Sequence, residues 1–164
     1  MRPLLLAALA ATPAQAATHA FCWQGEAGYR IEGTISLPDG ARGILTEVDL
    51  TDFRIRGFRD AEPLGTWRLG NGPGPVVIRF DADRLLFPTG GDPALGTYQA
   101  WNAGGTVDDC GDPGFGFNGG NLAQDVCVDG TFAEESGIPP ATPLRIAPDP
   151  SNPCGPVLMG RAVP

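Results

Sequence analysis

The chain has 164 residues and a net charge of −8, with 24 glycines, 17 prolines, four cysteines, one histidine and no lysine. The missing lysine excludes Schiff-base chemistry and a phosphate-binding P-loop, and the acid excess repels nucleic acid and anionic lipid. His19, close to the chain start, is the only imidazole, which argues against a Ser-His-Asp or Cys-His catalytic system.

Residues 1–16 read as a secretory signal peptide. Arg2 supplies the positive start, Leu4 to Ala11 the apolar run, and Ala14-Gln15-Ala16 a small-x-small cleavage site. An apolar run of that length is far below the roughly 20 residues that a spanning helix needs. A mature chain of 17–164 is therefore expected in the periplasm or outside the cell, as a single β domain with no membrane span. Loss of Arg2 with the leader leaves ten arginines against nineteen acids, a net of −9.

Cleavage after Ala16 would leave Ala17-Thr18-His19 at the new terminus. This resembles the amino-terminal copper- and nickel-binding motif of secreted proteins, which implies a Cu(II) or Ni(II) ion held in a square plane by the amine, two amides and the imidazole.

Tyr29, Ile31, Gly33, Ile35 and Leu37 alternate with Arg30, Glu32, Thr34 and Ser36, the period-two pattern of a strand with one wet face. Pro38-Asp39-Gly40 supplies a turn. Val48 and Leu50 fall in one phase and Phe53 and Ile55 in the other, so a bulge or a break is expected near Thr51-Asp52, with Arg54 and Arg56 facing solvent. Trp67-Arg68-Leu69 forms another strand, and Val76 to Asp81 alternates as the next. Short strands between Gly/Pro punctuation predict an all-β, antiparallel β-sandwich or flattened barrel, with long Gly/Pro-rich loops and little or no helix.

Beyond Phe87 glycine dominates, with Tyr98 and Trp101 on one intervening strand. Residues 137–153 are proline-rich and are expected to run as extended coil over the surface. Four cysteines in an exported chain read as two disulfides. Cys110 with Cys127 closes the glycine-rich loop, and Cys22 with Cys154 ties the two ends together. With no Cys-x-x-Cys pair and a single histidine, a zinc site is not expected.

Between Asp108 and Glu135 there are seven acids and no arginine. Asp108, Asp109 and Asp112 are candidate calcium ligands, because calcium takes hard oxygen donors from loops, although the Asp-x-Asp-x-Asp-Gly register is not met. No other cofactor is expected. Trp67 and Trp101 are candidate stacking platforms for a sugar ring, the alternative being core positions. The thin catalytic inventory points to a non-enzymatic module that binds a ligand, with carbohydrate the candidate, or another surface. A carboxylate-based hydrolase acting on carbohydrate, with Asp109 and Glu135 as example acids, is one alternative. A structural or protein-interaction domain is the other, and no sequence feature speaks to oligomeric state.

Overall fold

A computed structural model of the chain describes residues 16–104 and 110–155, and among these every regular element is a β-strand. The leader expected over residues 1–16, apart from Ala16, lies outside the described residues, as do Asp108 and Asp109. Strands β1 (Ala17–Gln24), β2 (Tyr29–Leu37), β4 (Asp52–Arg59) and β5 (Glu62–Arg68) form the first sheet, in the order β1-β2-β4-β5. The second sheet has the order β12-β11-β10-β9-β6. It is built from β6 (Val76–Val77), β9 (Gln99–Trp101), β10 (Phe115–Gly119), β11 (Gln124–Val128) and β12 (Thr131–Ile138). The third, β13-β8-β7-β3, uses β3 (Ile44–Thr46), β7 (Arg79–Asp81), β8 (Leu86–Phe87) and β13 (Leu144–Arg145). All strand pairs are antiparallel, so the molecule is an all-β, sandwich-like fold.

The alternation of β2 sets the first sheet. Ile31, Gly33 and Ile35 point inward, and the register carries them opposite Phe21 on one side and Ile55 and Phe53 on the other. Phe21 lies over Gly33, where a β-carbon would come within 2.2 Å of its ring, so only glycine admits that ring. Phe115, from the second sheet, fills the equivalent notch above Gly57 and Gly65. Between the sheets Phe21, Phe53, Phe87, Trp101 and Phe117 pack with ring centroids 4.4–6.2 Å apart, mostly edge to face, the arrangement that ring quadrupoles favour.

Most polar side chains inside this core are answered, Trp67 Nε1 and Asn118 Oδ1 being the exceptions among the described residues. Trp23 Nε1 donates to Gln124 Oε1 at 3.0 Å, and the Gln124 amide donates to the carbonyls of Pro140 and Thr142. Gln99 accepts from the Arg79 N–H and from Trp101 Nε1, and donates to the carbonyls of Arg79 and Pro88. Such groups are tolerated in a core only when paired.

The break expected near Thr51-Asp52 is a break between strands: Thr46 to Asp49 turns, and β4 starts at Asp52. A register shift in this region falls later, between Gly57 and Phe58. One expectation is corrected. Val76 to Asp81 is not one strand, because the chain leaves the second sheet after Val77 and joins the third at Arg79, with Ile78 fully buried at the crossing. The proline-rich end is also better anchored than coil. Leu144 is buried in β13, Ile146 bridges Phe21, and the Ala147 N–H donates to the Ala20 carbonyl.

Both disulfides have the expected pairing. Cys22–Cys154 fastens the end of the chain to β1 across 132 residues, and Cys110–Cys127 closes 17. No free cysteine remains, which fits an oxidising compartment. Among the described residues no helix is long and apolar enough to cross a membrane.

Candidate functional site

The outer face of the first sheet carries a cluster of charged and hydroxyl side chains. Strand alternation puts Arg30, Glu32 and Thr34 of β2, Arg54 and Arg56 of β4, and Thr66 and Arg68 of β5 on this face, opposite the buried set. The register stacks them in rows. Thr34, Arg54 and Arg68 form one, and Glu32, Arg56 and Thr66 the next. Two proline-bearing walls rise beside the rows. Pro150, Ser151 and Pro153 flank a depression of about 340 Å³ that reaches Thr34, Arg54 and Arg56. Pro73, Pro113 and Asn71 flank a second, of about 420 Å³, that reaches Arg54, Arg56, Thr66 and Arg68. Arg54 and Arg56 thus form a ridge in an open trough running across the sheet.

Its electrostatics are set by an uneven count. Glu32 meets Arg56 at 2.9 Å and Arg30 at 3.6 Å, and Asp52 meets Arg68 at 2.7 Å. Among the described residues Arg54 has only the Thr34 hydroxyl, which accepts from its Nε at 2.9 Å. Four guanidinium groups against two carboxylates leave this face locally positive on an acidic protein. Beside the Ser151 wall, Asp149 accepts from the Ser151 hydroxyl and N–H, and these two bonds hold its carboxyl below the usual carboxylate range.

At the β5 end of the trough the indole of Trp67 is 5% exposed, and its Nε1 is buried with no acceptor. It lies under Gly72, whose β-carbon position falls 2.9 Å from Nε1 and 2.2 Å from Asn102 Oδ1. That Asn102 oxygen already accepts from the Gly74 N–H.

The remaining candidates are dispersed. Trp101 is fully buried in the aromatic core, and Trp67 offers almost no ring face to solvent, so neither stands open as a stacking platform. Both fill the sandwich, which alternation alone does not distinguish from a surface role. Ala17, Thr18 and His19 are the first residues of β1, paired with Leu37, Ser36 and Ile35. In an extended strand consecutive N–H groups point to opposite edges, so a planar ion would take these residues only after they leave the ladder. Asp112 sits in the turn after Cys110. Among the described residues no group of three or more His, Cys, Asp or Glu side chains is placed to hold a metal ion.

Glu135 accepts from the Tyr29 hydroxyl at 2.9 Å and lies 3.7 Å from Arg59. A backbone hydrogen bond at Glu135 itself and the Tyr29 hydroxyl hold its carboxyl below the ordinary value, the reverse of what a general acid requires. Burial, with Glu135 alongside, pushes the Tyr29 hydroxyl up. Among the described residues Asp125 is the one carboxyl raised by burial, and it accepts from the Asn118 amide at 3.0 Å.

The arginine trough was missed as a site in the sequence because its members sit on three strands 12 to 38 positions apart. The one signal present was that Arg54 and Arg56 fall on the solvent phase of β4. No known family model, curated protein or solved structure matches the chain.

Proposed function

We propose that the chain is an exported, disulfide-stabilised β module that binds an elongated polar ligand along the outer face of its first sheet, without catalysing a reaction on it. The leader-like sequence of residues 1–16 and the two disulfides support an extracytoplasmic setting. The observation that carries the binding reading is Arg54, an exposed guanidinium with no carboxylate partner among the described residues, raised between two depressions. Exposed arginines on a rigid sheet, beside hydroxyls and between fixed walls, suit recognition, since strands hold such groups in place better than loops do.

A carboxylate hydrolase has less support. The acids on this face, Glu32 and Asp52, are tied into ion pairs, and Glu135 is held ionised beside Arg59. A protein-docking role would need a continuous apolar patch. The large exposed apolar side chains among the described residues, Ile44, Val48, Leu85, Leu95 and Leu122, are spread along the chain from β3 to the β10–β11 connection.

Screening the mature chain and its Arg54→Ala variant against a panel of polysaccharides tests this reading. Binding by the parent that is lost in R54A, with unchanged melting temperature and no release of reducing ends, is the expected result. Binding untouched by R54A, or release of reducing ends, contradicts it.

A further inference from the structure

We infer that the ligand of this trough is an acidic polysaccharide whose carboxylates are taken by Arg54. This rests on the reading of the sheet face as the binding surface and names the chemistry that surface recognises. The Arg54 Nε is spent on the Thr34 hydroxyl, which leaves the terminal nitrogens of a planar fork with no carboxylate among the described residues, and such a fork matches a carboxylate in a bidentate pair.

Arg54 and Arg68 are directly opposite on β4 and β5, and Arg56 follows Arg54 two residues along the same face. Like charges facing each other across a sheet repel, and one counter-ion, Asp52 on Arg68, relieves only half of that pair. An anion seated over Arg54 supplies the missing charge.

The surroundings decide between polyanions. Beside the guanidinium groups the floor and walls present the hydroxyl of Thr66 and the amide of Asn71, together with Pro73, Pro113, Pro150 and Pro153. Thr34, whose oxygen accepts from Arg54, keeps its own O–H free to donate. Hydroxyl-matching groups alternating with a cation fit a chain that carries many hydroxyls and spaced carboxylates. The one aromatic ring on this face, Phe58, is already covered by Arg30, whose guanidinium stands 4.3 Å from the ring centroid. That leaves no platform for a nucleobase. A surplus of two positive charges on a chain of net charge −8 is also too small to outweigh repulsion of a nucleic acid, with a phosphate charge every 1.7 Å or so of duplex, or of an anionic membrane. The trough is open along its length, which suits an extended polymer over a compact metabolite.

The test is calorimetric titration of the mature chain with oligogalacturonate and, in parallel, with the same oligomer fully methyl-esterified, which keeps the hydroxyls and removes the charge. The free acid is expected to bind about 10- to 100-fold more tightly than the ester, the factor expected when a hydrogen bond to a charged group is lost. Its affinity is expected to fall as salt rises. R54A should bring the acid down to the affinity of the ester, while Arg145→Ala on β13 should leave both unchanged. If acid and ester bind equally and R54A abolishes both, the carboxylate assignment fails and the sheet-face reading survives. If R54A changes neither, both fail. If neither oligomer binds at all, the acidic-polysaccharide assignment is overturned.

Discussion

Arg54 and Arg68 stand directly opposite each other on β4 and β5, yet among the described residues only Arg68 has a carboxylate, Asp52, at 2.7 Å. A sheet selected for stability alone would place an opposite charge or a β-branched residue at one of these positions. Replacing Arg54 by Thr removes the repulsion and keeps a good strand former. The R54T variant is expected to be more stable by about 0.2–1 kcal/mol at low salt, the range for exposed cross-strand pairs, with the gain shrinking as salt is added. Urea unfolding at two ionic strengths checks this, and a destabilised R54T would show that the arginine serves the fold.

Gly57 carries a stronger constraint. A β-carbon there would lie 2.1 Å from the ring of Phe115, and the pairing around Gly57 is already shifted at Phe58. Gly57→Ala must displace an aromatic side chain of the opposite sheet, and a cost of about 1–3 kcal/mol is expected. The double variant with Phe115→Leu should recover part of that loss, measured as a non-additive double-mutant cycle. Additive effects would mean that the two positions are not in contact.

Asp125 gives a pH dependence whose sign is fixed by its surroundings. Burial raises its carboxyl, so the folded state holds the proton more tightly than the unfolded chain does. The stabilisation from that proton is complete below the unfolded value, about 3.9, and is lost as pH rises through the folded value. An Asp125→Asn variant has no such loss, and its amide offers a donor to Asn118 Oδ1, which is buried without one. D125N should therefore gain stability relative to the parent as pH rises from about 3 to 7, read from paired urea titrations. A difference that shrinks over that interval contradicts the account.

The disulfides differ in exposure as well as span. Cys110 and Cys127 are buried, whereas Cys22 and Cys154 are partly exposed. Graded reduction followed by alkylation and peptide mapping should open Cys22–Cys154 first. In the chain-entropy model its removal costs about 5 kcal/mol against about 3 for the shorter loop. Opening of Cys110–Cys127 first would contradict the burial assignment.

How much of this was legible beforehand depends on whether a residue's fate was local. Tyr29–Leu37 was readable to its ends because one face is wet and the other dry, so the alternation is written in the chain itself. The pairing of Cys22 with Cys154 followed from the need to fasten two ends. Val76 to Asp81 misled, because the same alternation continues through a crossing between sheets that only Ile78, buried from all sides, gives away. Nothing in the local sequence marks Gln124 and Gln99 as buried, since the groups that make their burial tolerable, such as the Trp23 indole 101 positions from Gln124, are invisible locally. The trough was hidden for the same reason: Thr34, Arg54 and Arg68 become neighbours only through the β2-β4-β5 register.

Hydrogen-exchange mass spectrometry of the mature chain, with and without oligogalacturonate, tests the central claim most directly. Slowed exchange confined to residues 30–36, 52–59 and 62–73 and to the wall at 150–153 is the predicted result. Protection falling instead on residues 88–98 or 137–143, with these segments unchanged, would contradict a binding surface on the outer face of the first sheet.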